Sequence, residues 1–347
     1  ELTYEKKNEL NIGVALGFVD NRINVEFDWY RRNNFDLIGY TQTVGVGGVT
    51  TKLANDATME STGCEFTIST TNIKTKDFKW TTDWIFGWAE NTITKLDSRS
   101  QVYSLVNGVG RTEGRPIGAL YSIPFAGLTE EGLPTFFIDA EHTQVVGPGN
   151  YAAIYFQEYE NIDYLKYEGT IDPKITGSFG NTFSWKGLKL NVFFTYSFGN
   201  VLRLDNLCPV YSSDYSDLTA SMKEMKNRWM IPGDEQITTI PSIPTVRQMR
   251  EIDALNNAYS AYNYSTERVA KGDFIRLKEL SLAYDLPKKY LEGQNAVSSF
   301  GVKLSATNLW LAYADKKLNG RDPEYYNTGG VSSPNPRQFT LTVKLGF

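Results

Sequence analysis

One histidine, His142, and two cysteines, Cys64 and Cys208, are all that a chain of 347 residues holds of those types. So little imidazole leaves almost no material for a His-based triad or a multi-His metal centre. Two thiols far apart in sequence give neither a disulfide framework nor a zinc-ligand spacing, and read as unrelated free thiols. No apolar run approaches the roughly 18 residues that a spanning helix needs, so a helical membrane protein is excluded. There is no basic stripe either: 35 Lys and Arg lie interspersed among 40 Asp and Glu, for a net charge of −5. That argues against nucleic acid as a partner. The Gly45 to Gly48 stretch lacks the helix and full glycine pattern of a phosphate loop and reads as a loop tip, so no cofactor is expected. The first residue is Glu1 rather than Met, and no signal-like segment precedes the first apolar stretch, so the chain is expected to be part of a longer product.

Aromatics are plentiful, with 21 Tyr, 19 Phe and 7 Trp, and they fall at a period of two. In "NIGVALGFVDNRINVEFDWY", Ile12, Val14, Leu16 and Phe18 alternate with Gly13, Ala15 and Gly17. Across an Asp20-Asn21 turn, Ile23, Val25, Phe27 and Trp29 alternate with polar residues. Successive side chains of a strand point to opposite faces, so this is a hairpin with one dry face. The pattern returns at Phe66 and Ile68, then at Phe78 to Trp88, Phe179 to Trp185 and Leu188 to Phe198, with Phe193 off-pattern. It continues at Leu280 to Leu286, where Ile275 and Leu277 break the alternation, then at Phe300 to Ala306, and ends in Phe339, Leu341, Val343, Leu345 and Phe347. Nine strands are predicted. The connections after the first, third, fifth and seventh are short. Those after the second, fourth, sixth and eighth span about 32–61, 92–172, 200–270 and 312–336, far above the usual loop of about 4–6 residues.

A strict alternation of short and long connections puts every tight turn at one rim and every large loop at the other, as in outer-membrane barrels. A soluble β-sandwich binding glycans is the alternative, since its strands also alternate. Several wet faces here are Gly, Ser, Thr and Asn rather than charged, which suits a lumen. Trp29, Trp84, Trp88, Trp185 and Trp310 are expected near strand ends, where aromatic girdles sit. Residues expected to face lipid are Ile12, Val14, Leu16, Phe27, Trp29, Phe194, Leu282, Val302, Leu341 and Val343. Nine is an odd count for a bacterial single-chain barrel, and by itself the sheet has two open edges, where unpaired backbone groups in hydrocarbon each cost about 4–8 kcal/mol. Another stretch of polypeptide is expected to close the barrel. With tight turns periplasmic, Phe347 falls at the periplasmic rim.

These segments resemble, in order, the C-terminal barrel half of SusC/RagA-like TonB-dependent transporters of Bacteroidetes. "LTYEKKNELNIGVALGFVDNRINVEFDWYRRNNFDLI" looks like that family's strand-turn-strand segment, "NDATMESTGCEFTI" its Gly-x-Glu lead-in, and "IDPKITGSFGNTFSWKGLKLNVFFTYSFGN" its Pro-Lys hairpin. "NRWMIPGDEQITTIP", "DFIRLKELSLAYDLPKKYL", "LSATNLWLAY", "GRDPEYY" and "NPRQFTLTVKLGF" follow the order of its last strands. The resemblance implies an all-β fold in which residues 1–347 supply nine antiparallel up-and-down strands of a 22-stranded transmembrane barrel with long extracellular loops. It implies outer-membrane import of a bulky nutrient, an oligosaccharide or a peptide, without enzymatic activity. The partners it implies are an upstream barrel and plug section, TonB acting through that section, a SusD-like lipoprotein lid, outer-membrane lipid, and a dimer of transporter–lid pairs. Phe347 is then the C-terminal assembly signal.

Planar aromatics beside amides and carboxylates suit sugar rings or peptide side chains, and the loop candidates are Tyr121, Phe125, Tyr155, Phe156, Tyr159, Tyr211, Tyr215 and Trp229. Packing of loop on loop is the plainer reading for most of them. Glu130, Glu131, Asp139 and Glu141 raise the alternative of a glycosidase carboxylate pair, for which a separation of about 5–10 Å would be needed; a solvated loop is preferred. Asp322, before Pro323, reads as a turn residue.

Overall fold

The computed structural model describes residues 2–43, 45, 46, 48–207, 223–291, 297–326 and 336–347. Its main feature is one antiparallel sheet of nine strands hydrogen-bonded in chain order. These are β1 (Lys6–Phe18), β2 (Ile23–Gln42), β3 (Thr51–Lys74), β4 (Phe78–Leu96), β5 (Ile175–Trp185), β6 (Leu188–Phe198), β7 (Phe274–Asp285), β8 (Ser299–Ala314) and β9 (Gln338–Gly346). The number and order of strands are those the period of two predicts. Tight turns join β1 to β2, β3 to β4 and β5 to β6, while the connections after β4, β6 and β8 are long.

The expected loop over 32–61 is not a loop. β2 runs on to Gln42 and β3 begins at Thr51, so most of this stretch is a hairpin whose arms extend roughly 40 Å beyond Trp29 at about 3.3 Å per residue. The sequence hides it because both faces become polar above the rung Trp29–Cys64–Trp88. Cross-strand ion pairs replace apolar contacts there: Arg31 with Glu60 at 2.8 Å, Arg32 with Glu9 at 2.9 Å and Lys6 with Asp36 at 2.9 Å.

Register sorts the side chains into two faces. One outward row reads Leu16, Val25, Ile68, Trp84, Phe179, Phe194, Leu277 and Trp310 across eight strands. The adjacent inward row reads Gly17, Asn24, Ser69, Asp83, Gly180, Phe193, Glu279, Thr307 and Gln338. Phe193 is the one large apolar member of that row, and its ring lies over the bare backbone of Gly180 opposite. The ladder slips by one residue just after it, and slips again around Ile275 and Leu277. The residues that break the alternation in the sequence therefore mark β-bulges. On the other side of the β7 slip, Asn308 takes a left-handed φ of 52°.

The outward face is uncovered. Ile12, Val14, Leu16, Phe27, Leu282, Leu341 and Val343 are exposed, and Trp29, Phe194 and Val302 are half-buried. Among the described residues no second large sheet lies on it, so a sandwich has no partner layer. On β4 the apolar band runs from Phe78 to Trp88; at a strand tilt of 35–45° that is about 25 Å, the height of a barrel's lipid-facing belt. Of the tryptophans expected near strand ends, Trp185 closes β5, whereas Trp29, Trp84 and Trp88 lie well inside β2 and β4, which run on past the apolar stretch, and Trp84 sits in mid-band. Its indole N–H donates to the Tyr196 hydroxyl at 2.9 Å, which donates in turn to the Ile85 carbonyl at 2.9 Å.

The buried core lies elsewhere, in the described residues of the connections, 97–174, 199–207 and 223–273, which fold together at the rim opposite the tight turns. The helix Leu255–Asn263 buries Leu255, Ala258, Tyr259 and Tyr262 at a 3.6-residue spacing, with Ala261 and Asn263 buried as well. Around it pack Phe136, Tyr151, Ile154 and Leu165, and the helix Val102–Val106 with Val102, Leu105 and Val106. Two short ribbons tie this unit to the sheet. Val201–Arg203 pairs with Val269–Lys271 directly above β6 and β7, and Lys166–Thr170 pairs with Ala119–Ser122 just before β5.

Candidate functional site

Arg203 fixes the loop unit. Its guanidinium donates to the carbonyls of Val106 at 3.1 Å, Tyr121 at 2.5 Å and Ser265 at 2.9 Å, and to the Ser122 hydroxyl at 3.1 Å. One side chain thus joins the short helix, a ribbon strand and the segment after the long helix. Burial pulls its pKa down to about 10, which still leaves it charged at neutral pH. Arg268 acts similarly next to it, on Glu224 at 2.5 Å and the Asp205 carbonyl at 2.7 Å. Arg276 of β7 holds the connection after β8 through Asp322 at 2.5 Å and Glu324 at 2.7 Å. Asp322 also accepts from the Glu324 backbone N–H at 3.1 Å, so the expected turn residue caps the turn and anchors it to the wall.

On this frame stands an aromatic shelf. Tyr103 meets Tyr264 edge-on with ring centres 6.2 Å apart, and Phe156 meets Tyr264 at 5.9 Å. The shelf is held from behind by backbone bonds from Tyr103 to Phe156 at 2.9 Å and from Val102 to Glu158 at 2.8 Å. Glu158 closes its own turn by accepting from the N–H groups of Glu160, Tyr159 and Asn161, which hold its carboxyl below the ordinary range. Tyr103 is 53% exposed and Tyr155 57% exposed. Asn107 sits one turn along from Tyr103, its amide donating to the Tyr103 carbonyl at 2.9 Å. The arrangement offers aromatic faces beside an amide, the chemistry for stacking a planar or ring-shaped ligand.

Of the residues singled out in the sequence, Phe156 belongs to this shelf, and Tyr155 and Tyr159 lie exposed in the turn that adjoins it. Tyr121 does not. It is 8% exposed, in a ribbon strand, tilted against Tyr167 with 5.5 Å between ring centres, and presents no free ring face. Phe125 packs edge-on against Phe136 and Tyr262, inside the unit. Trp229 lies flat over Gly132, where a Cβ would stand within 2.4 Å of the ring, and its indole donates to Glu235 at 3.1 Å. Gly132 has φ +75°, so both conformation and space exclude a side chain there. Tyr211 and Tyr215 lie outside the described residues. Tyr103, Tyr264 and Asn107 were missed in the sequence, because only the folded loops bring 103 and 264 together. Asp139 uses its carboxylate to accept from the backbone of Thr143 and Gln144, closing a turn. Among the described residues no three His, Cys, Asp or Glu side chains form a metal-binding group.

The inward wall carries a polar hollow of about 430 Å³ near the tight-turn rim, walled by Lys189, Asn191, Glu279, Ser281, Asp285, Lys303 and Lys344. Lys303 pairs with Glu279 at 3.2 Å across β7 and β8. The strands are thus apolar on the outward face and polar and charged on the inward one.

No protein-family model matches the chain. It is similar over its whole length to TonB-dependent receptors P3 and P26 of Formosa agariphila, at 27% identity in each case, covering 34% and 35% of those proteins. A stretch covering 27% of the chain is 35% identical to the TonB-dependent receptor SusC of Bacteroides thetaiotaomicron, covering 10% of that protein. Among solved structures, the RagAB peptide transporter matches with a TM-score of 0.73 at 24% identity, covering the whole of this chain and 35% of that one. The closed-closed state of the RagAB peptide importer matches at 0.75 with 25% identity, covering 36% of that chain. The chain thus spans about a third of the length of the proteins it matches. The resemblance to a barrel section of SusC/RagA-like TonB-dependent transporters stands on sequence and on fold together.

Proposed function

We propose that the chain is the C-terminal section of a SusC/RagA-like TonB-dependent transporter and works in the import of a bulky nutrient across the outer membrane. The observation that carries this reading is the uncovered apolar face running across nine strands, backed by a polar inner wall. In water such a face would be an aggregation surface, whereas in a bilayer it is the surface that needs no partner. The internal pairing of the Trp84 indole supports it, since a mid-band N–H in hydrocarbon has no solvent to donate to. β1 and β9 each have one unpaired edge among the described residues, so the remaining strands of a 22-stranded barrel, with a plug and the TonB-contacting segment, come from the rest of the protein.

In this reading the tight turns and Phe347 are periplasmic, with Phe347 as the assembly signal. The loop unit of 97–174 and 199–273 is extracellular under a SusD-like lipoprotein lid, in a dimer of transporter–lid pairs. The shelf of Tyr103 and Phe156, with the adjoining Tyr155, contacts an oligosaccharide, for which exposed tyrosines beside an amide are suited. A peptide is the second reading, favoured by the likeness to a peptide transporter.

The test has two parts. Residues 1–347 alone are expected to give no monodisperse, heat-modifiable barrel in detergent, whereas the full-length protein does; a stable lone fragment would sink the barrel reading. Calorimetric titration of the full-length transporter with glycan and peptide panels identifies the ligand. Replacing Tyr103 and Tyr155 by Ala is then expected to weaken binding by about tenfold, as one to two lost stacking contacts would.

A further inference from the structure

Among the described residues, one polar cluster interrupts the outward face. Thr70 and Asn72 of β3, Trp80 and Thr82 of β4, and Asn181 of β5 form a single hydrogen-bonded chain inside the apolar band. The Thr70 hydroxyl donates to the Asn72 carbonyl oxygen at 2.9 Å, and the Asn72 amide donates to the Thr82 hydroxyl at 2.7 Å. Thr82 at 2.8 Å and the Trp80 indole at 2.9 Å both donate to the Asn181 carbonyl oxygen. Both amide oxygens are therefore occupied. What remains is a surplus of donors: two N–H bonds of Asn181 and one of Asn72 have no protein acceptor among the described residues. In a hydrocarbon belt that surplus calls for an acceptor from the surroundings.

The position says which acceptor. Asn72 is two residues from the end of β3, and Asn181 four from the end of β5, so the notch lies roughly 10 Å or less above the tight-turn rim once strand tilt is allowed for. Between Asn181 and the rim, on the same outward face, Trp80 and Phe183 stack with ring centres 5.6 Å apart and an interplanar angle of 21°, a flat apolar wall. At the rim, the Arg22 guanidinium donates to the backbone carbonyls of Thr71 and Asn72 at 3.0–3.3 Å, next to the notch. Lys76 stands in the adjoining turn, whose one carboxylate, Asp77, faces Lys186 of the next turn at 3.9 Å. Cations at the rim, amide donors flanked by an aromatic pair within the next 10 Å or so, and the apolar rung of Trp84 and Phe179 beyond them follow the order of phosphate, acyl ester and chain along one lipid molecule.

Resting on the reading of the wall as membrane-spanning, we propose that this notch is a binding site for a glycerophospholipid of the leaflet at the tight-turn rim. Arg22 and Lys76 hold its phosphate, and Asn72 and Asn181 donate to its ester carbonyls. Native mass spectrometry of the full-length transporter in detergent, with added phosphatidylglycerol, is expected to show one retained lipid. The diether analogue, which has the phosphate and lacks the ester carbonyls, is expected to be retained roughly fivefold less for each hydrogen bond lost. Asn181→Leu is expected to lower retention of the diester by a similar factor while leaving the diether unchanged; Arg22→Ala combined with Lys76→Ala lowers both. Equal retention of diester and diether by the unaltered protein, a comparison that needs no variant, would overturn the proposal. So would an Asn181→Leu protein that keeps its lipid. Heat-modifiable mobility of each sample is read first: its absence in the unaltered protein is the failure of the membrane-wall reading, distinct from a folded barrel that holds no lipid.

Discussion

The wall and the loop unit use the same side chains in opposite ways. In the loop unit Phe136, Tyr151 and Tyr262 are fully buried. In the wall, Leu16, Phe27 and Leu341 are exposed, and every residue of β1 is exposed. A wall strand needs no core because its backbone bonds are made with its neighbours and its apolar face is made for an apolar solvent. The loop unit builds an ordinary interior and uses buried arginines to tie its segments together, as a part that stands in water would. One chain thus holds apolar residues both exposed and buried, and on the membrane reading the difference should appear in how each region responds to the same kind of damage.

The widest separation is expected from Arg203→Met in the full-length protein. Three carbonyls lose their donor inside the loop unit, which is expected to cost about 3–5 kcal/mol. Limited proteolysis should then cut within the loop unit while the barrel keeps its heat-modifiable mobility; loss of both together would mean that loop and wall fold as one. Phe136→Ala should behave alike, at about 3–5 kcal/mol for a buried ring. The reverse case is Phe66→Arg, in mid-band between Phe27 and Trp84. It is expected to cost about 2–4 kcal/mol in a bilayer. Thr67→Arg, one residue on and facing inward, should stay within about 1 kcal/mol. Denaturant titration of folding into vesicles checks the pair, and equal costs would remove the distinction between faces.

How far each region was readable follows from the same physics. The wall is written in a period of two, so strand number, order and face were visible in residues such as Ile12, Val14 and Leu16. Even its faults were visible, since Phe193, Ile275 and Leu277 mark bulges. The period vanishes where both faces meet water, which is why β2 and β3 beyond Trp29 resembled a loop although Arg31 and Glu60 keep the ladder going. The loop unit carries no comparable signal. Its ribbons are three to five residues long, and its core joins residues as distant as Val106 and Tyr262. Tyr121 and Tyr155 look equivalent in sequence, yet one is interior and the other open. Arg203 gave no hint of its role, because its partners are main-chain carbonyls that any residue could supply.

The finest test of the contrast is Trp84→Phe. The ring stays, so apolar area and aromatic packing against Phe66 are nearly kept, and only the N–H to Tyr196 is lost. Tyr196 still donates to the Ile85 carbonyl, so no donor is orphaned. In water the lost bond would be replaced by solvent on both sides in the folded and unfolded states, and the change should fall near zero. In hydrocarbon the indole of the unaltered protein has no other acceptor within reach, and the bond to Tyr196 is expected to contribute about 1 kcal/mol. The measurement is the folding free energy of both proteins in vesicles. A companion pair, Trp229 and Trp229→Phe, sits in the loop unit with its indole on Glu235 near solvent, and is expected to lose less. If Trp84 loses less than Trp229, the mid-band environment is wet, and the outward face of the wall is not a lipid face.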